Sequence, residues 1–455
     1  MKEKVKLFPK KIITFSIVGF GIFFVLWGAT EITPRPGLPA NSRISVTVVD
    51  TSLIERGAYL ARVGDCVACH SMPGNSDFSG GAAIASPIGG MVPPNITPDK
   101  NVGIGNYTFE DFDRAVRYGI ARNGETLYPA MPWTSYSRIA ESDMKSLYAY
   151  FMYGVKPVAK PSNANTIPWP LSMRWPMTYW RWLFTPSAAN PPQDPPTEPL
   201  ALGAYYVNGL GHCGACHTPR ALTLQEVAFD EQGGDEYLSG GQVIDGYFVP
   251  SLRGENVSGL GRTSVPELVE LLKTGRTDKT ATFGPMSDVI TNSTQYMTED
   301  DLHAMATYLR SLQARVKQHK ANYSAKTYDA LSRGDFFSVG ASVYMKNCEG
   351  CHLANGLGYS KKFTQLALNS SVNSQEANGL IKIVLVGANH AKTEDNNVSI
   401  YSMPSFAQSL SDQEIADVLT FIRSSWGNNA SEVSTSMVAE SRKGIDKLEK
   451  TNVRN

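Results

Sequence analysis

The chain has 455 residues, 42% hydrophobic and 18% charged, a globular composition that excludes large-scale disorder and, at ordinary domain sizes, suggests about three domains. Basic and acidic residues number 42 each, yet Lys2, Lys4, Lys6, Lys10 and Lys11 crowd the first eleven positions against Glu3 alone, so the body is mildly acidic. That balance argues against nucleic-acid binding and gives no strong electrostatic pointer to a partner.

In chain order, the lysine cluster precedes an uncharged run of 19 residues, Ile12 to Thr30. Such a run reads as a secretory h-region or as a single hydrophobic membrane helix. Trp27-Gly28-Ala29 makes a poor cleavage site and the run is long for an h-region, which favours the uncleaved span. In both cases residues 1–31 leave the basic end cytoplasmic and export the remainder of the chain. Pro34, Pro36 and Pro39 then mark a tether up to about residue 50.

Three pentapeptides come next: Cys66-Val-Ala-Cys69-His70, Cys213-Gly-Ala-Cys216-His217 and Cys348-Glu-Gly-Cys351-His352. Each is a C-x-x-C-H, the attachment signature of c-type haem. Two thiols on one turn of helix span the two haem vinyl groups, and the adjacent imidazole lies under the ring to ligate iron. A lone C-x-x-C would fit a zinc half-site or a redox pair equally well. Here all six cysteines of the chain are consumed, and each pair has its trailing histidine. This implies three covalent haems, with Cys66, Cys69, Cys213, Cys216, Cys348 and Cys351 as attachment points and His70, His217 and His352 as iron ligands.

The surroundings of the motif repeat as well. A Gly-Ala pair recurs ahead of each motif, at Gly57-Ala58, Gly203-Ala204 and Gly340-Ala341, where small residues suit a close helix crossing rather than chemistry. Each unit closes on a segment with acidic residues at its start and apolar residues at helical spacing: Glu141–Tyr153, Thr298–Arg310 and Ser411–Arg423. Ser411 with Glu414 fits a capping box. The chain is therefore an internal triplicate of helix, motif, variable middle and closing helix.

The middle of each unit should supply a sixth iron ligand. Met131 in Tyr128-Pro-Ala-Met-Pro132, Met286 in Phe283-Gly-Pro-Met286 and Met403 in Tyr401-Ser-Met-Pro404 stand at matching places before the closing segments. Proline beside each is expected to fix a loop rather than a helix. Methionine is usually core filler, but the repeated placement favours ligation, and a thioether ligand raises the haem potential. Met72, Met91 and Met297 fall at non-equivalent places and read as packing. His303 lies in a closing segment, the first unit has no spare histidine to match His390, and His212 directly precedes Cys213. Histidine–methionine ligation is the one scheme that fits all three units.

The stretch 157–199 holds eleven prolines and four of the seven tryptophans, Trp169, Trp175, Trp180 and Trp182. Its bland reading is an ordered strap over a domain surface. The sharper one is a docking surface for a membrane or a partner, since tryptophan favours both interfaces. A second linker runs from Gln313 to Arg333, and residues 429–455 read as a polar tail, mobile at its end. No nicotinamide fingerprint or nucleophile elbow is present.

From 52 to 428 the pattern resembles tandem class I cytochrome c domains. The fold class expected is mainly α, with domains at 52–156, 200–313 and 334–428 behind the N-terminal hydrophobic helix. Met91-Val-Pro-Pro-Asn-Ile-Thr-Pro98, Gly103–Phe112, Leu127–Pro132 and Phe283–Val289 narrow the likeness. They resemble tri-haem cytochrome c subunits of membrane-bound quinone-reducing dehydrogenases of the alcohol and gluconate 2-dehydrogenase type. That resemblance implies a periplasmic complex at the inner membrane. A separate flavoprotein or quinoprotein subunit would oxidise an alcohol, sugar or sugar acid, with room for a small third subunit, and this chain would pass the electrons to ubiquinone. Two other readings are a self-standing anchored electron carrier and a multihaem peroxidase.

Overall fold

The computed structural model describes residues 50–72, 74–185, 191–318, 320–388, 391–394 and 402–452, together with Gly19 and residues 21–23. The described chain is mainly helical, with two short antiparallel hairpins, Ile84–Ser86 with Gly89–Met91 and Val243–Ile244 with Tyr247–Phe248. The apolar run that reads as signal or span lies almost wholly outside the described residues. Among those described, no helix is long and apolar enough to cross a membrane. Backbone contacts divide the chain into two units, residues 1–57 with 70–192 and residues 58–69 with 193–455.

One order of elements recurs three times. An opening helix (Thr51–Val63, Pro199–Asn208, Val339–Asn347) leads into a short helical turn carrying the motif (Cys66–His70, Gly214–His217, Glu349–His352). A middle helix comes after it (Phe109–Tyr118, Val265–Thr274, Asn378–Val386), and then a closing helix (Glu141–Ala149, Glu299–Ser311, Asp412–Ser424). Opening and closing helices meet at the repeated glycine. A Cβ built on Gly57 would lie 2.0 Å from the Ser146 carbonyl oxygen, one on Gly203 2.0 Å from that of Ala304, and one on Gly340 2.2 Å from that of Asp417. Only a residue without a side chain lets the two backbones come that close.

The closing helices are capped unequally. Ser411 and Glu414 form the expected capping box, and Thr298 accepts from the Asp301 N–H. The first closing helix has no capping side chain. Its N-cap is Ala140, which offers none, and the Glu141 N–H instead donates to the Pro192 carbonyl at 2.9 Å. Two further capping boxes, Thr108 with Asp111 and Ser264 with Glu267, start the first and second middle helices.

In the first unit, Arg56 grips the buried carboxylate of Asp143 through two hydrogen bonds of 2.9 and 3.0 Å. The proline-rich stretch is laid along residues 89–97. Thr166 N–H donates to the Gly90 carbonyl at 2.9 Å, Asn165 Oδ1 accepts from Val92 N–H at 2.7 Å, and Asn95 Nδ2 donates to the Val158 and Lys160 carbonyls. It then forms a ten-residue helix, Trp175–Phe184. Proline density bars a long helix across the whole stretch, but Pro176 sits in the first turn, where its missing N–H has no intrahelical partner to lose.

In the second unit, residues 58–69 pack on the start of the second closing helix. The Tyr59 hydroxyl donates to Asp301, Thr298 N–H donates back to that hydroxyl at 3.3 Å, and the Arg62 guanidinium lies 4.5 Å from the centre of the Tyr296 ring. The second and third repeats also touch. Arg276 donates to the Lys362 carbonyl at 2.6 Å, Gln295 to the Lys392 carbonyl at 2.9 Å, and the Lys382 ammonium sits 4.5 Å over the Tyr247 ring.

The core of the third repeat gathers Tyr344, Phe421 and Trp426, with ring centroids 5.1 to 5.6 Å apart. Residues 429–455, expected as a polar tail, contain a helix, Thr435–Asn452. It is held because Val438 is buried in that core and Arg442 binds Asp412 at 2.7 Å.

Candidate haem sites

All six cysteines are free thiols. Burial pushes Cys66, Cys213 and Cys348 up to about 12 and Cys69 to about 11, and Cys216 rises for the same reason. The shift runs opposite to the depressed thiolates that redox pairs and metal ligation rely on.

The three motif histidines share one arrangement. Nδ1–H of His70 donates to the Pro94 carbonyl, that of His217 to the Pro250 carbonyl and that of His352 to the Thr364 carbonyl, each at 2.8 Å. The carbonyl acceptor fixes the tautomer and leaves Nε2 as a lone-pair donor, the usual second-sphere device for an iron-ligating imidazole. Burial lowers the pKa of all three rings below the ordinary histidine value, which keeps them neutral and able to ligate. A glycine N–H in turn donates to each histidine's own carbonyl: Gly80 to His70 at 2.9 Å, Gly240 to His217 at 2.7 Å and Gly358 to His352 at 3.1 Å. Thiols, spacing and aimed imidazoles fit a covalently attached haem.

Sequence reasoning misses this supporting ring. Pro94 lies inside the Met91–Pro98 stretch that carries part of the resemblance, and Pro250 comes after the second hairpin. A proline offers only a carbonyl, so its candidacy as an acceptor is readable in principle. Nothing in the sequence points to Thr364.

The three methionines come after equivalent middle helices that end at Gly119, Gly275 and Gly387, and all three are half-buried. Their local conformations differ. Met131 sits in a bend between the bridge Ile120–Thr126 and the short helix Trp133–Tyr136. Met403 exchanges backbone hydrogen bonds with Ala388 at 3.0 and 3.1 Å. Met286 is not in a loop as expected but in the first turn of the helix Pro285–Asn292, because proline at the first helical position starts a helix as readily as it stops one.

Of the set-aside candidates, Met297 is buried and His303 is exposed on the second closing helix. His212 is half-buried, with Nδ1–H donated to the Leu210 carbonyl at 2.8 Å. His390 lies outside the described residues.

Helices that cross at glycine, with a C-x-x-C-H turn and a carbonyl-anchored histidine, define a c-type cytochrome. The cytochrome c family profile matches residues 337–426. The alcohol dehydrogenase (quinone) cytochrome c subunit of Gluconacetobacter polyoxogenes is 49% identical over 384 residues, 84% of this chain and 82% of its own. The gluconate 2-dehydrogenase cytochrome c subunit of Pantoea cypripedii is 47% identical over 397 residues, 86% of this chain and 90% of its own. The fructose dehydrogenase cytochrome subunit of Gluconobacter japonicus is 36% identical over 416 residues, 86% of this chain and 83% of its own. This chain belongs to that family of dehydrogenase cytochrome c subunits.

Proposed function

We propose that this chain is the tri-haem electron-transfer subunit of a membrane-bound dehydrogenase complex. Its three class I cytochrome c domains, at 52–156, 200–313 and 334–428, each carry one covalent haem c. The observation that carries this reading is the threefold recurrence of a neutral, half-buried motif histidine anchored through Nδ1 to a backbone carbonyl at 2.8 Å. Two thioethers per motif and one imidazole hold each group. Met131, Met286 and Met403 would each give the iron a second protein ligand, which disfavours a peroxidase, an enzyme that needs an open position for its oxidant. Bound haem supplies reversible one-electron exchange between ferrous and ferric iron, and the polypeptide sets the spacing and potential of the centres.

The donor is a separate catalytic subunit, a flavoprotein or quinoprotein that oxidises an alcohol, sugar or sugar acid. The acceptor is ubiquinone, at the periplasmic face of the bacterial inner membrane. The relatives, cytochrome c subunits of a quinone-dependent alcohol dehydrogenase and a gluconate 2-dehydrogenase, and the lysine cluster ahead of an apolar N-terminal run support this assignment. The test is purification of the native complex. We expect three haems per chain by pyridine haemochrome assay, a co-purifying flavin or pyrroloquinoline quinone protein, and reduction of a short-chain ubiquinone analogue when substrate is added. A lone protein that is inert to quinone would sink the proposal in favour of a self-standing carrier.

A further inference from the structure

The helix Trp175–Phe184 is built inside out. On a water-facing surface helix the polar residues point outward and the apolar ones inward. Here the two buried side chains are polar, Thr178 and Arg181. Thr178 Oγ1 lies 3.1 Å from Thr126 Oγ1. Just before the helix, Arg174 donates to the Thr126 carbonyl at 3.2 Å and stacks 3.7 Å over the Tyr128 ring. Trp180 turns inward too, edge-on to Trp133 at 6.0 Å.

The outer side is aromatic and aliphatic. Trp175 and Trp182, seven residues apart and so on one stripe, are 53% and 47% exposed, and Leu183 is 59% exposed. The preceding turn adds Trp169 at 80% and Leu171 at 52%. With Met173, six large apolar side chains exposed within fifteen residues form a patch, not the scattered exposure of an ordinary surface.

Charge selects what covers it. No acidic residue occurs between Asp143 and Asp194, while Lys156, Lys160 and Arg174 supply positive charge; Arg181 is buried on the inner side and Lys145 is paired with Glu141, so neither adds to the outer face. The adjoining loop contributes Arg122 and Glu125, which offset one another. An aromatic patch in a positively charged, acid-free stretch matches the headgroup layer of an anionic bilayer, where tryptophan and basic residues both settle.

We propose that the Trp169–Leu183 segment is an interfacial foot that seats the folded part of the chain on an anionic phospholipid surface, separately from the N-terminal apolar run. The proposal rests on the membrane location argued above and deepens it. Because the same helix is pinned to Thr126 and Tyr128, the segment that carries Met131 would be the part of the first unit tied directly to the membrane-seated surface.

The test is hydroxyl-radical footprinting of the full-length, haem-loaded chain in solution, on phosphatidylcholine vesicles and on phosphatidylcholine–phosphatidylglycerol vesicles. Oxidation of Trp169, Trp175 and Trp182 should fall about fivefold on the anionic vesicles, with salt reversing much of the protection, while Leu222 and Tyr359 stay unchanged. The W175S/W182S/L183S variant should bind those vesicles roughly tenfold more weakly with its haem content and spectrum intact. Unaltered oxidation on anionic vesicles overturns the proposal. So does protection that appears only when the catalytic subunit is added, since the patch is then a protein interface. Failure of haem loading or of quinone reduction in detergent would instead strike the electron-transfer reading and leave the foot standing.

Discussion

Gly203 and Ala304 touch backbone to backbone: the Gly203 Cα faces the Ala304 carbonyl so closely that a Cβ would fall 2.0 Å from its oxygen. Ser146 and Asp417 face Gly57 and Gly340 in the same way. Replacing Gly203 by alanine sets two effects against each other. Helix propensity favours alanine by about 1 kcal/mol. The clash is with backbone, which has no rotamer to yield, so the crossing must open. We expect Gly203→Ala to cost a net ~2 kcal/mol and lower the melting temperature by about 4–8 °C. Calorimetry of the haem-loaded protein checks this, and an unchanged or raised melting temperature would contradict the crossing.

Arg56 and Asp143 make a second test of the first crossing. Asp143 is 3% exposed and its carboxylate faces the guanidinium, which is itself about one third exposed. Arg56→Ala removes both hydrogen bonds that the guanidinium makes to the buried carboxylate and should cost about 2–3 kcal/mol, below the full buried-pair value because water reaches the arginine. Chemical unfolding of single variants and of the Arg56→Ala/Asp143→Asn double variant measures the coupling, and additive losses would rule it out.

Arg423 is almost fully buried and donates to three backbone carbonyls, Ser431 at 2.7 Å, Val372 at 2.9 Å and Ser374 at 3.1 Å. A lysine ammonium cannot span that fork. Arg423→Lys, conservative in charge, should destabilise the protein by about 2 kcal/mol. A denaturation midpoint equal to wild type would show that the fork is dispensable.

The Ser411–Glu414 box predicts a pH dependence. Hydrogen bonds from the Ser411 N–H and hydroxyl hold the Glu414 carboxyl below its ordinary value of 4.5. A carboxylate depressed in the folded state stabilises fully above its unfolded pKa, and the contribution disappears as pH falls through the folded one. Ser411→Ala should therefore lower stability at neutral pH and flatten the acid side of the stability curve below about pH 4.5. Urea midpoints taken across that range decide it; an acid limb parallel to wild type would refute the linkage.

For the proposed methionine ligands, Met403→Ala should remove the weak near-infrared methionine–iron band from one haem. It should also lower that haem's potential by a modest part of the ~0.8 V over which axial ligands act. Met131→Ala and Met286→Ala should each do the same to a different haem. Potentiometric titration of the three variants separates the centres, and an unchanged spectrum removes that methionine from the ligand set.

Covalent chemistry and local propensity are legible from residue order alone. The C-x-x-C-H spacing announces covalent haem c because attachment needs fixed spacing on one turn. The Gly-Ala pairs announce close packing because only glycine tolerates it, and Ser411 with Glu414 announces a capped start because the box closes within four residues. Other features depend on which chain segments meet. Thr364 supports His352 through a carbonyl that any residue could offer, so no side chain betrays it. Ala140 needs no cap because Pro192, remote in sequence, accepts the N–H that Glu141 offers. Pro285 starts a helix under Met286 where proline suggests a loop, since the same fixed φ serves both. The tail is polar in composition, yet Val438 finds a core to bury in. Sequence shows four tryptophans in a proline-rich stretch, but only the fold decides that Trp180 packs inward while Trp175 and Trp182 face out.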